Sequence, residues 1–148
     1  MDARTLHAMV PIAIAVGLAF SAYAWYESVT PAAQGSCTVN GFFSCQKVDQ
    51  SAFTTTLGVP DYLFGVGGFA AMLVVDVPLL RTYRRPWLLT LAGLSGIGLV
   101  LSIYLAWVEL AEIRALCLIC TGAYLSNVVV FALVATLVRQ QRADAAGD

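Results

Sequence analysis

Four stretches of the chain are almost free of ionisable side chains. Leu6–Tyr26 holds His7 but no Asp, Glu, Lys or Arg. Tyr62–Leu80 holds only Asp76, near its end, and Trp87–Val108 and Leu116–Val138 hold none. Each run has roughly 20 residues, and at about 1.5 Å per residue such a helix crosses the roughly 30 Å hydrocarbon layer. The pattern predicts an all-α membrane protein: four transmembrane helices over about 6–26, 62–80, 87–108 and 116–138, within a single domain spanning 1–148. Between the first two helices lies a polar segment, 27–61, with Pro31, Gly35, Asn40 and Gly41 at turn-forming positions. Inside it, "SAFTTTLG", Ser51 to Gly58, fits a short amphipathic helix on the membrane surface, stopped by Gly58 and Pro60.

Composition agrees with this pattern and narrows it. The chain is 59% hydrophobic and 11% charged, with a mean hydropathy of +0.80, far from a soluble globular norm. A net charge of −1 gives no reason to expect nucleic-acid binding. The placement of the basic residues sets the orientation, because Lys and Arg resist translocation. Arg4, Arg81, Arg84, Arg85, Arg139 and Arg142 fall on one side of the predicted helices. Only Lys47 and Arg114 fall on the other, among Glu27, Asp49, Asp61, Glu109 and Glu112. Both termini are therefore expected in the cytoplasm, with 27–61 and 109–115 facing outward from the cytoplasmic membrane. Ala22-Tyr23-Ala24 has the form of a signal-peptide cleavage site, but the apolar stretch before it is long for one.

The orientation gives the cysteines a compartment. Cys37 and Cys45 belong to the first outer loop, and Cys117 and Cys120 to the entry of the fourth helix. All four are expected on the extracytoplasmic face, where disulfides form and persist. On a helical wheel with Cys117 at zero, Cys120, Tyr124 and Asn127 fall at about 300°, 340° and 280°, so they share a face. A Cys-x-x-Cys pair at a helix start is also placed for thiolate chemistry. Spacing alone leaves several readings open: inert apolar thiols, a fixed disulfide clamp, a zinc site, or a redox relay. Tyr124 also suits the membrane interface, and Asn127 suits a helix contact. Gly65, Gly67 and Gly68, and Gly93, Gly96 and Gly98, allow close helix packing or, in the first set, a flat ligand. Asp76 is expected to snorkel or pair with Arg81, His7 to lie at the membrane edge, and Glu109 and Glu112 to be solvated loop charges.

Cys37-x₇-Cys45 with Ser44 before the second cysteine, then Ser51, "PDYLFG" and "YLAWVELAEIRALCLICTGAY", together resemble the vitamin K epoxide reductase family over nearly the whole chain. The resemblance implies a four-helix bundle around a quinone of the menaquinone, ubiquinone or vitamin K type, capped by the outer loop and needing no metal. It implies that Cys120 reacts with the quinone, that Cys117 is its exchange partner, that Cys45 shuttles to Cys117, and that Cys37 meets an external redox protein. Tyr124 and Asp61 would bond the quinone carbonyls, Phe64 and Gly65 would line the pocket, and Ser51 would support the loop. The family commonly has Asn at the position of Asp61, and an ionised carboxylate can only accept hydrogen bonds. Many bacterial members carry a fused thioredoxin-like domain; this chain ends soon after its fourth helix, so a separate thioredoxin-like partner is expected. The implied function is thiol oxidation coupled to quinone reduction in support of disulfide-bond formation. Vitamin K quinone or epoxide reduction in the animal-enzyme direction, and a structural tetraspan with fixed disulfides, are the alternatives. A second four-helix thiol oxidase family of bacteria has the two cysteine patterns in the opposite loops.

Overall fold

The computed structural model describes residues 3–33, 36–51, 55–56, 59–82 and 84–147. Four long helices make up most of it: α1 (Ala3–Val29), α3 (Asp61–Arg81), α4 (Arg85–Val108) and α5 (Leu118–Gly147). The outer loop adds a single-turn helix, α2 (Cys45–Asp49), and a two-stranded antiparallel ribbon, β1 (Thr55–Thr56) with β2 (Val59–Pro60). The four predicted helices are all present, each longer than its apolar run or equal to it. α5 runs well beyond 138, because its polar end, "RQQRADAAG", is built largely of good helix formers.

The proposed surface helix over Ser51 to Gly58 is corrected in part. Thr55–Thr56 is extended and pairs with Val59–Pro60, the β-branched side chains and Pro60 favouring strand over helix. Ala52, Phe53, Thr54, Leu57 and Gly58 lie outside the described residues, as does the Gly35 turn position.

The helices close into a ring: α1 packs against α3 and α5, and α4 against the same two. Large apolar side chains point outward at Ile12, Val74, Val100, Ile103 and Leu125, which is what a lipid surround requires of a bundle. Four helices are long and apolar enough to cross a membrane. The protein is a multi-pass integral membrane protein.

Two halves of the bundle differ. The half farther from the outer loop is filled by Val10, Ile14, Leu79, Leu88, Leu91, Val130, Val134 and Leu137, all buried. Asp76 is also buried there, 1% exposed, with His7 Nε2 at 3.8 Å. Neither snorkelling nor an Arg81 partner describes it: Asp76 faces the bundle interior, and the first turns of α1 bring His7 to it. The half nearer the loop is hollow.

Candidate active site

Two backbone hydrogen bonds bring the distant cysteine pairs together. Asn40 Oδ1 accepts the N–H groups of Phe42 and Phe43, both at 2.9 Å, and so folds "NGFF" into a tight turn. Phe43 then forms a parallel bridge with Leu116: Leu116 N–H donates to Phe42 O at 2.8 Å and Ser44 N–H to Leu116 O at 3.1 Å. Ser44 caps α2 through its hydroxyl, which accepts the Lys47 N–H at 3.3 Å. Cys45 therefore starts a helical turn one residue after a segment paired with the residue before Cys117. The Cys117 and Cys45 sulfurs lie 3.1 Å apart.

Cys37 and Cys45 are joined as a disulfide, while Cys117 and Cys120 are free thiols. Cys45 and Cys117 are buried, and Cys37 is partly exposed. Cys117 precedes α5 rather than lying in it. Its carbonyl accepts the Thr121 N–H at 2.9 Å, and its sulfur accepts the Cys120 N–H at 3.2 Å, so it caps the helix as Ser or Asp would. The wheel still holds from Cys120 onward, and Cys120, Tyr124 and Asn127 all face one cavity. Three sulfurs, of Cys37, Cys45 and Cys117, lie within 4.8 Å of one another. Sulfurs this close are placed for thiol–disulfide exchange between the two pairs.

The cavity holds about 350 Å³ and fills the hollow half of the bundle. That volume is at the lower end for a small-molecule site and suits a single flat ring. Phe20, Phe64, Phe69 and Met72 give it an apolar wall, and Cys45, Cys117 and Cys120 line it at the loop end. The predicted pocket residues Asp61, Phe64, Gly65 and Tyr124 all line it, and so does Ser51. The Ser51 hydroxyl donates to Val48 O at 2.8 Å, closing the end of α2. Gly65 is a close-approach position: a Cβ there would come within 2.6 Å of Ser21 Oγ on α1. Gly67 and Gly68 have open space around them, whereas a Cβ at Gly98 would press on the Asn127 side chain. Asn127 donates to Ser95 O across helices at 3.3 Å, as its helix-contact reading expects.

One glutamate overturns a sequence expectation, and a second shares its burial. Glu109 is 3% exposed, not solvated, and Glu27 is buried as well. Glu109 opens a π-helical turn, Glu109–Ile113, that ends α4. Its Oε2 accepts the Cys117 N–H at 3.0 Å and its Oε1 accepts the Tyr124 hydroxyl at 2.8 Å. Glu27 mirrors it on the loop side, where its Oε1 accepts the Cys37 N–H at 3.3 Å and the Ser36 hydroxyl at 3.0 Å. Each cysteine pair thus has a buried carboxylate on the backbone N–H of its first member. Glu112 is exposed, as expected. The available sequence signal was position: each glutamate directly follows a charge-free membrane run, where only a chain reversal can bury it. At the cavity rim, partial burial and then the nearby Glu27 carboxylate hold Asp49 above the usual aspartate range.

The family model described as Vitamin K epoxide reductase family matches residues 8–135, from the first turns of α1 to the middle of α5, and so includes all four cysteines.

Proposed function

The chain belongs to the vitamin K epoxide reductase family, and from that premise we propose that it oxidises a thioredoxin-like protein and passes the electrons to a membrane quinone. The family is one of oxidoreductases that use quinones as electron acceptors, so thiol–quinone chemistry is the activity class of this protein. The partner, the direction and the residue roles are our reading. The observation that carries it is the 3.1 Å approach of Cys117 to a disulfide sulfur at the edge of an apolar cavity.

In this reading a thiolate of the reduced partner attacks Cys37, the more accessible sulfur of the outer disulfide, and frees Cys45. The partner's second thiol completes its own disulfide and leaves Cys37 and Cys45 as a dithiol. Cys45 then attacks Cys117 of an inner Cys117–Cys120 disulfide and frees Cys120. Cys37 attacks Cys45 in turn, which restores the outer disulfide and leaves Cys117 and Cys120 as a dithiol. The inner dithiol next gives two electrons to the quinone through Cys120, re-forming its disulfide as quinol forms. Phe64 and Gly65 flank the ring, and Asp61 and Tyr124 meet its oxygens; Ser51 keeps α2 and Cys45 in register. The potential difference fixes the direction, about 30 mV being worth roughly 1.4 kcal/mol for a two-electron couple. The bias of basic residues supports a cysteine end outside and both termini in the cytoplasm, an orientation that gives a secreted partner access to Cys37.

The test combines purified protein, a reduced thioredoxin-like protein and menaquinone, ubiquinone or vitamin K analogues, with quinone absorbance as the readout. Quinol formation that needs both substrates, and that Cys120→Ser abolishes, is the expected result. Full turnover by Cys120→Ser, or oxidation of the partner without any quinone, would overturn the assignment.

A further inference from the structure

Reducing a quinone requires protons as well as electrons, and the walls of this cavity hold the carboxylates Glu27, Asp49, Asp61 and Glu109. Two thiols that become a disulfide release two protons, and a quinone that becomes a quinol takes up two. Among these, Glu109 is hydrogen-bonded both to the thiol pair's backbone and to the phenol facing the cavity. It is buried and lines the cavity with Cys117, Cys120 and Tyr124. Its bond to Tyr124 also has a direction. The phenol donates to Glu109 Oε1, so the same hydrogen cannot be given to a quinone oxygen. Once Glu109 is protonated it becomes the donor, and the Tyr124 hydrogen is released toward the cavity.

We infer that Glu109 is the proton carrier between the inner thiol pair and the quinone, acting through Tyr124. The inference rests on the quinone-reductase reading above and adds the path of one proton. As the Cys117–Cys120 disulfide forms, both electrons of the pair enter the quinone. One thiol proton passes to the Glu109 carboxylate. Glu109 gives it to the Tyr124 oxygen while Tyr124 gives its own hydrogen to one quinone oxygen, which restores carboxylate and phenol. The second thiol proton leaves to water at the open side of the cavity, and the second quinone oxygen takes its proton from water. Charge and atoms balance: dithiol and quinone go in, disulfide and quinol come out.

The experiment is a single-turnover reduction of a short-chain menaquinone by pre-reduced full-length protein, followed by absorbance across pH, with Glu109→Gln as the variant. Glutamine keeps the size and one acceptor oxygen but cannot take a proton. The groups facing Glu109 that also titrate are Cys117, Cys120 and Tyr124 on the α5 side and Asp61 on α3, with Glu27 and Asp49 across the cavity. A carrier role predicts a maximal rate about 100-fold lower, in the range of general acid–base catalysis. It also predicts a quinone KM within about threefold of wild type and loss of the acid limb that Glu109 ionisation gives the wild-type profile. Exchange of the Cys37–Cys45 disulfide with an external dithiol stays at the wild-type rate. Tyr124→Phe in the Glu109→Gln background adds less than its own separate loss, because the two act as one path. Wild-type rates in Glu109→Gln, or a loss confined to KM or shared equally by the exchange reaction, would overturn the carrier role while quinone reduction by the wild type still stood. No quinone reduction by the wild type would overturn both.

Discussion

At Asp49 the electrostatics of the cavity rim become a statement about stability. Partial burial, with the Glu27 carboxylate adding to it, raises this carboxyl above the usual aspartate value. Between the usual and the raised value, the folded protein holds a proton that the unfolded chain has released. Stability therefore falls as pH climbs through that window, and the loss is complete above it. Asp49→Asn cannot ionise and escapes the loss. Its thermal unfolding should move up relative to wild type near neutral pH and coincide with wild type in acid below the usual aspartate range. The gain should be under about 1 kcal/mol, since solvent screens a largely exposed carboxylate. A gain of equal size at both pH values would contradict the sign argument. Residue-scale chemistry was unevenly legible in the sequence. The four cysteines stood out because thiols are scarce in so apolar a chain, whereas Tyr124 was singled out by its helix face and by the family resemblance. Glu109 and Glu27 did not, because a glutamate beside a membrane run reads as a solvated charge until the chain is seen to turn back over it. Asp76 misled for the same reason, since nothing local announces that His7 approaches it.

The elements were legible in proportion to how strictly the bilayer dictates them. Lipid offers no hydrogen-bond partner, so a charge-free run of membrane length has one outcome, and all four helices followed from that rule. The connections obey weaker rules. The π-helical turn Glu109–Ile113 has no periodic signature, yet it shifts the end of α4 enough to aim Glu109 inward. Its C-cap, Arg114, has φ 55° and ψ 35°, the only positive φ at a non-glycine residue among those described. A left-handed conformation at such a residue costs about 1–2 kcal/mol, and glycine adopts it without that cost but loses more freedom on folding. Arg114→Gly should therefore stabilise the protein by up to about 1 kcal/mol, the residual after those two effects offset. Circular dichroism melts in detergent would show it as a higher midpoint with quinone reduction intact. A lower midpoint would mean that the arginine side chain contributes more than its backbone conformation costs. Residues 51–58 show the opposite limit of pattern reading, since eight residues carry too little periodicity to tell a surface helix from the extended pairing found at Thr55–Thr56.

On the scale of the whole molecule, the proposed relay depends on a contact between residues 72 apart in sequence, Cys45 and Cys117. Three features create it: the Asn40 turn, the Phe43–Leu116 bridge and the ring of helices that sets α5 beneath the loop. The pairing of the two cysteine motifs could be read from family resemblance, but its physical cause lies in the bridge, which no local pattern encodes. The contact also yields a sharp test. In a protein carrying both Cys37→Ser and Cys120→Ser, Cys45 has lost its bonded partner and Cys117 has lost its resolving neighbour. The two remaining sulfurs are left facing each other, and a disulfide needs only about 1 Å of further approach from 3.1 Å to bonding distance. Mild oxidation should form a Cys45–Cys117 disulfide in most molecules, read by mass spectrometry of non-reduced peptides. Dithiothreitol should return both thiols. In the companion variant with Cys45→Ser and Cys120→Ser, Cys37 and Cys117 remain, and their link should form more slowly because the Phe43–Leu116 bridge sets position 45, not Cys37, against Cys117. Equal rates in the two variants would mean that the loop moves freely over the helix end, and that the bridge at Phe43 and Leu116 does not choose which sulfur carries the electrons inward.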